Sequence, residues 1–134
     1  MMQVIKAMKA GGRLASLAYF TFITSTLAAC MNERDFEPRV HAGNPEQGEI
    51  ALARLECGAC HVIPGIPGAV GRVGPTLDAY ASRPYVAGKF PNDPETLVRF
   101  ILDPPAMAPR TAMPAVPMQE ADARNIAAYL YEQT

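Results

Sequence analysis

Two cysteines three positions apart, followed at once by a histidine, constrain this chain more than any other feature of its sequence. They stand in the pentapeptide Cys57-Gly58-Ala59-Cys60-His61. This spacing is used to attach haem covalently, because one helical turn places both sulfurs on the same side. The next imidazole then lies under the porphyrin. Zinc sites and redox motifs also contain Cys-x-x-Cys pairs, so the rest of the sequence has to separate these uses.

The alternatives to haem find little support around the motif. Zinc would need a fourth ligand besides Cys57, Cys60 and His61, and no side chain stands at a suitable spacing. A Cys57–Cys60 disulfide is the competing use in an oxidising compartment. A thioredoxin-like motif would open a helix in a βαβ pattern, whereas this region shows almost no strand periodicity. The sequence therefore favours one covalently bound haem c.

The N-terminal 29 residues are typical of an export signal. An apolar stretch from Leu14 to Leu27 follows three basic residues, Lys6, Lys9 and Arg13, with no acidic residue among them. This stretch is about 14 residues long, against the roughly 20 needed to span a bilayer, and it is interrupted by hydroxyl side chains. We therefore predict that residues 1–29 are a signal peptide that is removed, rather than a transmembrane anchor.

The end of this leader, Leu27-Ala28-Ala29-Cys30, resembles a bacterial lipobox. The resemblance implies cleavage before Cys30 and attachment of diacylglycerol to its sulfur; a chance cysteine is the alternative. Lipid on Cys30 and haem on the other two cysteines would account for all 3 cysteines, so that no odd thiol remains. The expected localisation is the bacterial cell envelope, lipid-anchored, with the domain facing the periplasm or the cell exterior.

The mature chain is expected to be a polar tether, residues 30–43, followed by one small domain, residues 44–134. Loss of the three leader cations takes the net charge from −1 to −4, and this excludes a basic nucleic-acid footprint. The domain has no tryptophan and few phenylalanines. A core with so little aromatic bulk benefits from a large apolar ligand, and a buried porphyrin would fill that role.

Helix signals and Gly/Pro-rich loops predict an all-α fold of three to five helices. Asn44-Pro45 opens a helix that continues to Cys57, and Asp93-Pro94 opens a second that stops near Asp103. A last helix is predicted from about Met118 to Glu132, and a short helical turn around Leu77 to Tyr80. The expected buried stripe of the last helix is Ala123, Ile126, Ala127 and Leu130, with Tyr129 alongside.

The other axial position of the iron needs its own ligand, and methionine is the favoured type. A thioether is a soft, neutral donor that favours ferrous iron. Met113 has the best local chemistry, because Pro114 stiffens the backbone and Thr111 can fix the loop by hydrogen bonding. Met107 and Met118 stay open as alternatives. Met31 lies beside the expected lipid, and His41, the other histidine, lies in the expected tether.

Together these motifs resemble a class I monohaem cytochrome c in a bacterial lipoprotein form. The resemblance spans about residues 44–132 and adds Gly74-Pro75 and the segment 126–130 to the motifs above. It implies that Pro75 accepts a hydrogen bond from His61 through its carbonyl. It also implies that the first and last helices cross at Gly48 and Tyr129. The tryptophan often found near a haem propionate is missing; its candidate substitutes are Tyr80, Arg83 and Tyr85.

The function implied by this resemblance is one-electron transfer without catalysis. We expect a membrane-tethered carrier with low-spin His/Met haem, serving a respiratory oxidase or dehydrogenase as redox protein partner, with no small-molecule substrate. The alternative is a haem subunit of an enzyme complex, or a peroxidase or sensor with a displaceable sixth ligand. The loop 63–70 is expected to border the haem edge, because it directly follows His61.

Overall fold

Four α-helices and one small antiparallel hairpin make up the regular structure of residues 39–133, the part of the chain that this computed structural model describes. These residues belong to the unit Glu37–Thr134. In chain order the elements are α1 Pro45–Arg54, β1 Tyr85–Val86, β2 Phe90–Pro91, α2 Pro94–Leu102, α3 Pro104–Met107 and α4 Glu120–Glu132, with 3₁₀ turns at Cys57–Ala59 and Tyr80–Ser82. No helix within the described range is long and apolar enough to span a bilayer. The expected all-α fold is confirmed, with the hairpin as a minor addition.

Three of the helices begin in the same way, and the starts of α1 and α2 are readable from the sequence for this reason. The side chain of Asn44 accepts from Gln47 N at 3.0 Å, and that of Asp93 accepts from Thr96 N at 2.9 Å. Asp103 does the same for α3. A proline follows each cap, where its fixed φ suits the helix and its missing N–H costs nothing.

Helices α1 and α4 cross in direct backbone contact at Gly48. A Cβ added there would overlap the carbonyl oxygen of Asn125 and lie 2.8 Å from Cβ of Tyr129. No larger residue allows the two helices to approach so closely. The crossing buries Ala51 and Leu52 of α1 against the inner face of α4. This inner face contains the expected stripe and also Ala128 and Tyr131.

Residues 39–43, which the sequence assigns to a flexible tether, are packed along α4 in the structure. Val40 is only 1% exposed. The Arg39 guanidinium lies 4.6 Å from the centroid of the Tyr131 ring. A Cβ on Gly43 would come within 2.8 Å of the backbone of α4. Burial of a large apolar side chain holds this segment on the domain. Residues 30–38 of the expected tether and the expected signal peptide lie outside the described residues.

The helix boundaries depart from expectation where the haem motif begins. Helix α1 ends at Arg54, before the motif, and Glu56 adopts a left-handed φ of 53° that turns the chain. The hairpin β1–β2 and helix α3 were not predicted. Strands of two residues are too short to show an alternation of apolar and polar side chains, and α3 is only one turn long.

Candidate functional site

A cavity of about 500 Å³ brings together all five residues that the sequence assigns to cofactor binding. These residues are Cys57, Cys60, His61, Pro75 and Met113. Most of the remaining lining is apolar, and every helix except α3 contributes to it: Leu52 of α1, Leu97, Phe100 and Ile101 of α2, and Ile126 and Leu130 of α4. The volume falls within the range of sites that enclose a sizeable organic ligand.

A tight turn positions the cysteines and the histidine. The backbone carbonyl of Cys57 accepts hydrogen bonds from Cys60 N at 3.2 Å and from His61 N at 3.1 Å. This 3₁₀ turn, rather than the end of α1, brings the three side chains to the same cavity. Burial raises the pKa of the Cys57 thiol above its ordinary value, so the protonated thiol is favoured there.

The imidazole of His61 is fixed on two sides. Its Nδ1 lies 2.7 Å from the carbonyl oxygen of Pro75, the contact implied by the resemblance. A carbonyl oxygen only accepts, so this hydrogen bond requires the proton on Nδ1. A Cβ on Gly74 would overlap Cε1 of the ring and lie 2.6 Å from Nδ1. Glycine at this position therefore makes room for the imidazole.

The three methionines that the sequence offers as iron ligands differ in their position relative to the cavity. Met113 and Met118 line the cavity, whereas Met107 does not. The loop around Met113 is held locally, because its backbone N–H donates to Oγ1 of Thr111 at 3.2 Å. His41 is exposed and does not line the cavity. Cys30 and Met31 lie outside the described residues.

The hairpin supplies part of the lining that sequence reasoning missed. Tyr85, Ala87 and Gly88 border the cavity. Ala87 and Gly88 open its three-residue turn, residues 87–89, with positive φ angles of 51° and 66°. Alanine rarely adopts this conformation, so the sequence gives no turn signal there. Tyr80 and Arg83 also line the cavity. All three residues that could replace the missing tryptophan near a haem propionate therefore lie at the cavity wall.

The loop 63–70, which the sequence predicts at the haem edge, lies outside the lining of this cavity. None of its residues contributes to the lining. Ile63 N donates to Ala69 O at 3.3 Å and Gly71 N donates to Gly58 O at 3.0 Å, so the loop closes on itself behind the cysteine turn. Its apolar residues Ile63, Ile66 and Ala69 are buried in the core. It borders a separate groove beside the end of α1 instead.

The residues around the cavity fit a haem. The lining is largely apolar, as a porphyrin requires. Two thiols stand at the spacing for covalent attachment, and an oriented imidazole and a thioether supply one nitrogen and one sulfur donor. The close approach of Gly74 to His61 is a second sign of fit, because it leaves the ring no other position on that side.

Comparisons with known proteins agree with this arrangement. No protein-family profile matches the chain. It is 33% identical over 85 residues to cytochrome c oxidase subunit 2 of Alkalihalophilus pseudofirmus. That match covers 63% of this chain but only 24% of the relative, so the chain spans about a quarter of its length. The fold is similar to that of cytochrome c2 from Rhodobacter sphaeroides, with a TM-score of 0.50 and 28% sequence identity, over 68% of this chain and 96% of the other.

The similarity to cytochrome c2 therefore covers nearly the whole of that protein and most of the residues described here. The site, the fold and both similarities agree in pointing to the same family. In fold and motif the chain is consistent with a class I cytochrome c, and a cytochrome c-like fold is that of an electron-transfer protein rather than an enzyme.

Proposed function

We propose that this protein is a one-electron carrier with a single haem c, attached through thioether bonds to Cys57 and Cys60. His61 and Met113 would hold its iron through one nitrogen and one sulfur. One observation carries this proposal: the cysteine turn, the oriented imidazole and the Met113 loop all meet at one largely apolar cavity. The haem would supply reversible one-electron chemistry at its iron. Two protein ligands would leave no coordination position open for a substrate.

The residues of the chain then have distinct tasks. The cysteine turn retains the cofactor even when the small domain opens. The Pro75 carbonyl fixes the tautomer of His61 and strengthens it as a donor. The apolar side chains of α2 and α4 exclude water, which disfavours the extra positive charge of the oxidised iron and raises the reduction potential. Thr111 holds the loop that presents the Met113 thioether.

The proposal also covers location and partner. Lipid on Cys30 would tether the domain to a membrane of a bacterial envelope, on the periplasmic or outer side. The partner is a redox protein at that membrane, a respiratory oxidase or a dehydrogenase. Similarity to a cytochrome c oxidase subunit supports an oxidase in particular, although the matched segment is a small part of that protein. The sequence of the leader supports the tether.

An absorption spectrum of the exported protein tests the haem assignment. We expect red protein with a low-spin haem spectrum whose colour stays with the polypeptide after denaturation. The double substitution Cys57→Ala and Cys60→Ala should abolish this covalent retention, because no other described cysteine is present. A matched pair, His61→Ala and His41→Ala, should change the spectrum only in the first case. Colourless protein from cells that attach haem to other cytochromes would refute the proposal.

Membrane extraction tests the lipid anchor. Replacing residues 1–30 by an ordinary secretory signal should give soluble, red protein with an unchanged spectrum, because the haem site lies wholly within the described residues. The protein with its own leader should require detergent for release, since the several chains of a bacterial lipoprotein anchor stably where one acyl chain does not. Release of that protein by salt alone would contradict the lipid on Cys30.

A further inference from the structure

We propose that Arg83 is a positioning residue for His61, holding the loop 75–78 so that the Pro75 carbonyl stays aligned with the imidazole. This inference rests on the proposed function, in which His61 coordinates the haem iron. It assigns to Arg83 a role transmitted through the protein backbone, separate from any effect of its charge.

The contacts of Arg83 concentrate on this loop. A single guanidinium nitrogen, Nη2, donates to Thr76 O at 2.6 Å, to Asp78 O at 2.8 Å and to Asp78 Oδ1 at 3.1 Å. The side chain is 27% exposed, against 61% for its carboxylate partner. Two backbone carbonyls accept from the same group, so the arginine does more than form a surface ion pair. Its guanidinium also lies 5.2 Å from the centroid of the Tyr80 ring, which limits its movement.

These contacts reach the histidine through one peptide unit. The Pro75 carbonyl that accepts from His61 precedes the Thr76 carbonyl that Arg83 holds. The pyrrolidine ring fixes φ of Pro75, so the direction of its carbonyl depends on ψ and on the position of the next peptide. Backbone bonds hold the flanks: Gly74 N donates to Cys60 O at 2.9 Å, and Leu77 N donates to Val62 O at 2.8 Å. Arg83 holds the second flank from its carbonyl side, because Thr76 O and Leu77 N belong to one peptide unit, the one that directly follows the Pro75 carbonyl.

The hydrogen bond needs this support because its loop lies at the surface. Thr76 and Asp78 are exposed and do not line the cavity. Water can therefore compete for Nδ1–H and for the carbonyl whenever the loop moves. A protein carbonyl held in place gives a constant donor strength at Nε2, whereas exchanging water does not. The consequence is a steadier and stronger imidazole ligand, which stabilises the oxidised iron.

The test is hydrogen exchange of the His61 ring proton, followed by proton NMR of the reduced haem protein. In Arg83→Met we expect this exchange to accelerate about tenfold or more, since the side-chain bonds that fix the loop are lost. The Leu77 amide should accelerate with it, while the amides of α4 should not. Arg83→Lys, which can place an ammonium near the Thr76 carbonyl, should restore much of the protection.

Two further variants separate position from charge. Arg110→Met removes another exposed positive charge beside a cavity-lining residue and should leave the His61 exchange unchanged. Asp78→Asn removes the ion pair but keeps the Arg83 bond to Thr76, and it should also have little effect. Unchanged exchange in Arg83→Met overturns the inference, as does equal acceleration of all amides, which would mean a general loss of stability.

The same measurements separate this inference from the proposed function. A wild-type protein without a histidine-coordinated haem overturns both, because no protected ring proton on a haem ligand would then exist. A wild-type protein with such a proton, together with unaffected Arg83 variants, overturns only the positioning role.

Discussion

Replacing Met113 by alanine should convert the low-spin haem to a high-spin, ligand-accessible form. In the proposed function Cys57 and Cys60 attach the haem independently of Met113, so the protein should stay red. Loss of the thioether, which favours ferrous iron, should lower the reduction potential by a sizeable part of the roughly 0.8 V that axial ligands span. The reduced variant should then bind carbon monoxide. Absorption spectra and a redox titration measure both effects.

Two other methionines provide the controls for this result. Met118 lines the same cavity, and Met107 packs against the core without lining it. Met107→Ala and Met118→Ala should both keep the low-spin spectrum, with only the loss of stability expected for a truncated, partly buried side chain. A low-spin Met113→Ala protein with unchanged potential, next to a high-spin Met118→Ala protein, would assign the ligand to Met118 instead.

Replacing Gly74 by alanine should displace the imidazole of His61 and thereby disrupt the haem site. The added methyl group would overlap Cε1 of the imidazole and lie 2.8 Å from Nε2. The backbone has little freedom to retreat, because Gly74 N is bonded to Cys60 O. We expect a mixture of spin states and a loss of stability of about 1–3 kcal/mol or more, the usual cost of overpacking. Spectra and thermal unfolding of the haem protein report the two effects separately.

Gly68→Ala is the matched control for this substitution. Gly68 does not line the cavity, and a Cβ there meets no atom within 4 Å. Its φ of 77° makes alanine cost about 1–2 kcal/mol in the left-handed region. This variant should therefore lose stability while its spectrum stays normal. A Gly74→Ala protein with a normal spectrum and normal stability would show that the loop can move away from His61, contrary to the packing described here.

Local sequence signals were sufficient to select residues that line one cavity and to find the starts of helices α1 and α2. The motif from Cys57 to His61 is recognisable by its spacing, because covalent attachment of a haem restricts which residues can stand at such positions. Asn44 and Asp93 mark helix starts by side-chain chemistry that acts within one turn. The stripe of α4 follows from the helical period. Each of these features depends on residues close together in the chain.

The choice among methionines, the path of the loop 63–70 and the docking of residues 39–43 depended on the tertiary structure. Met107 and Met118 differ little in local sequence, and only the fold places one of them at the cavity. Because the loop directly follows His61, the sequence predicts that it lies beside the haem. Hydrogen bonds to Gly58 and within the loop instead hold it outside the cavity lining. Polar composition suggested a tether, yet Val40 finds a buried position against the domain. Such contacts join residues that are far apart in the sequence, so they cannot be predicted from composition or periodicity.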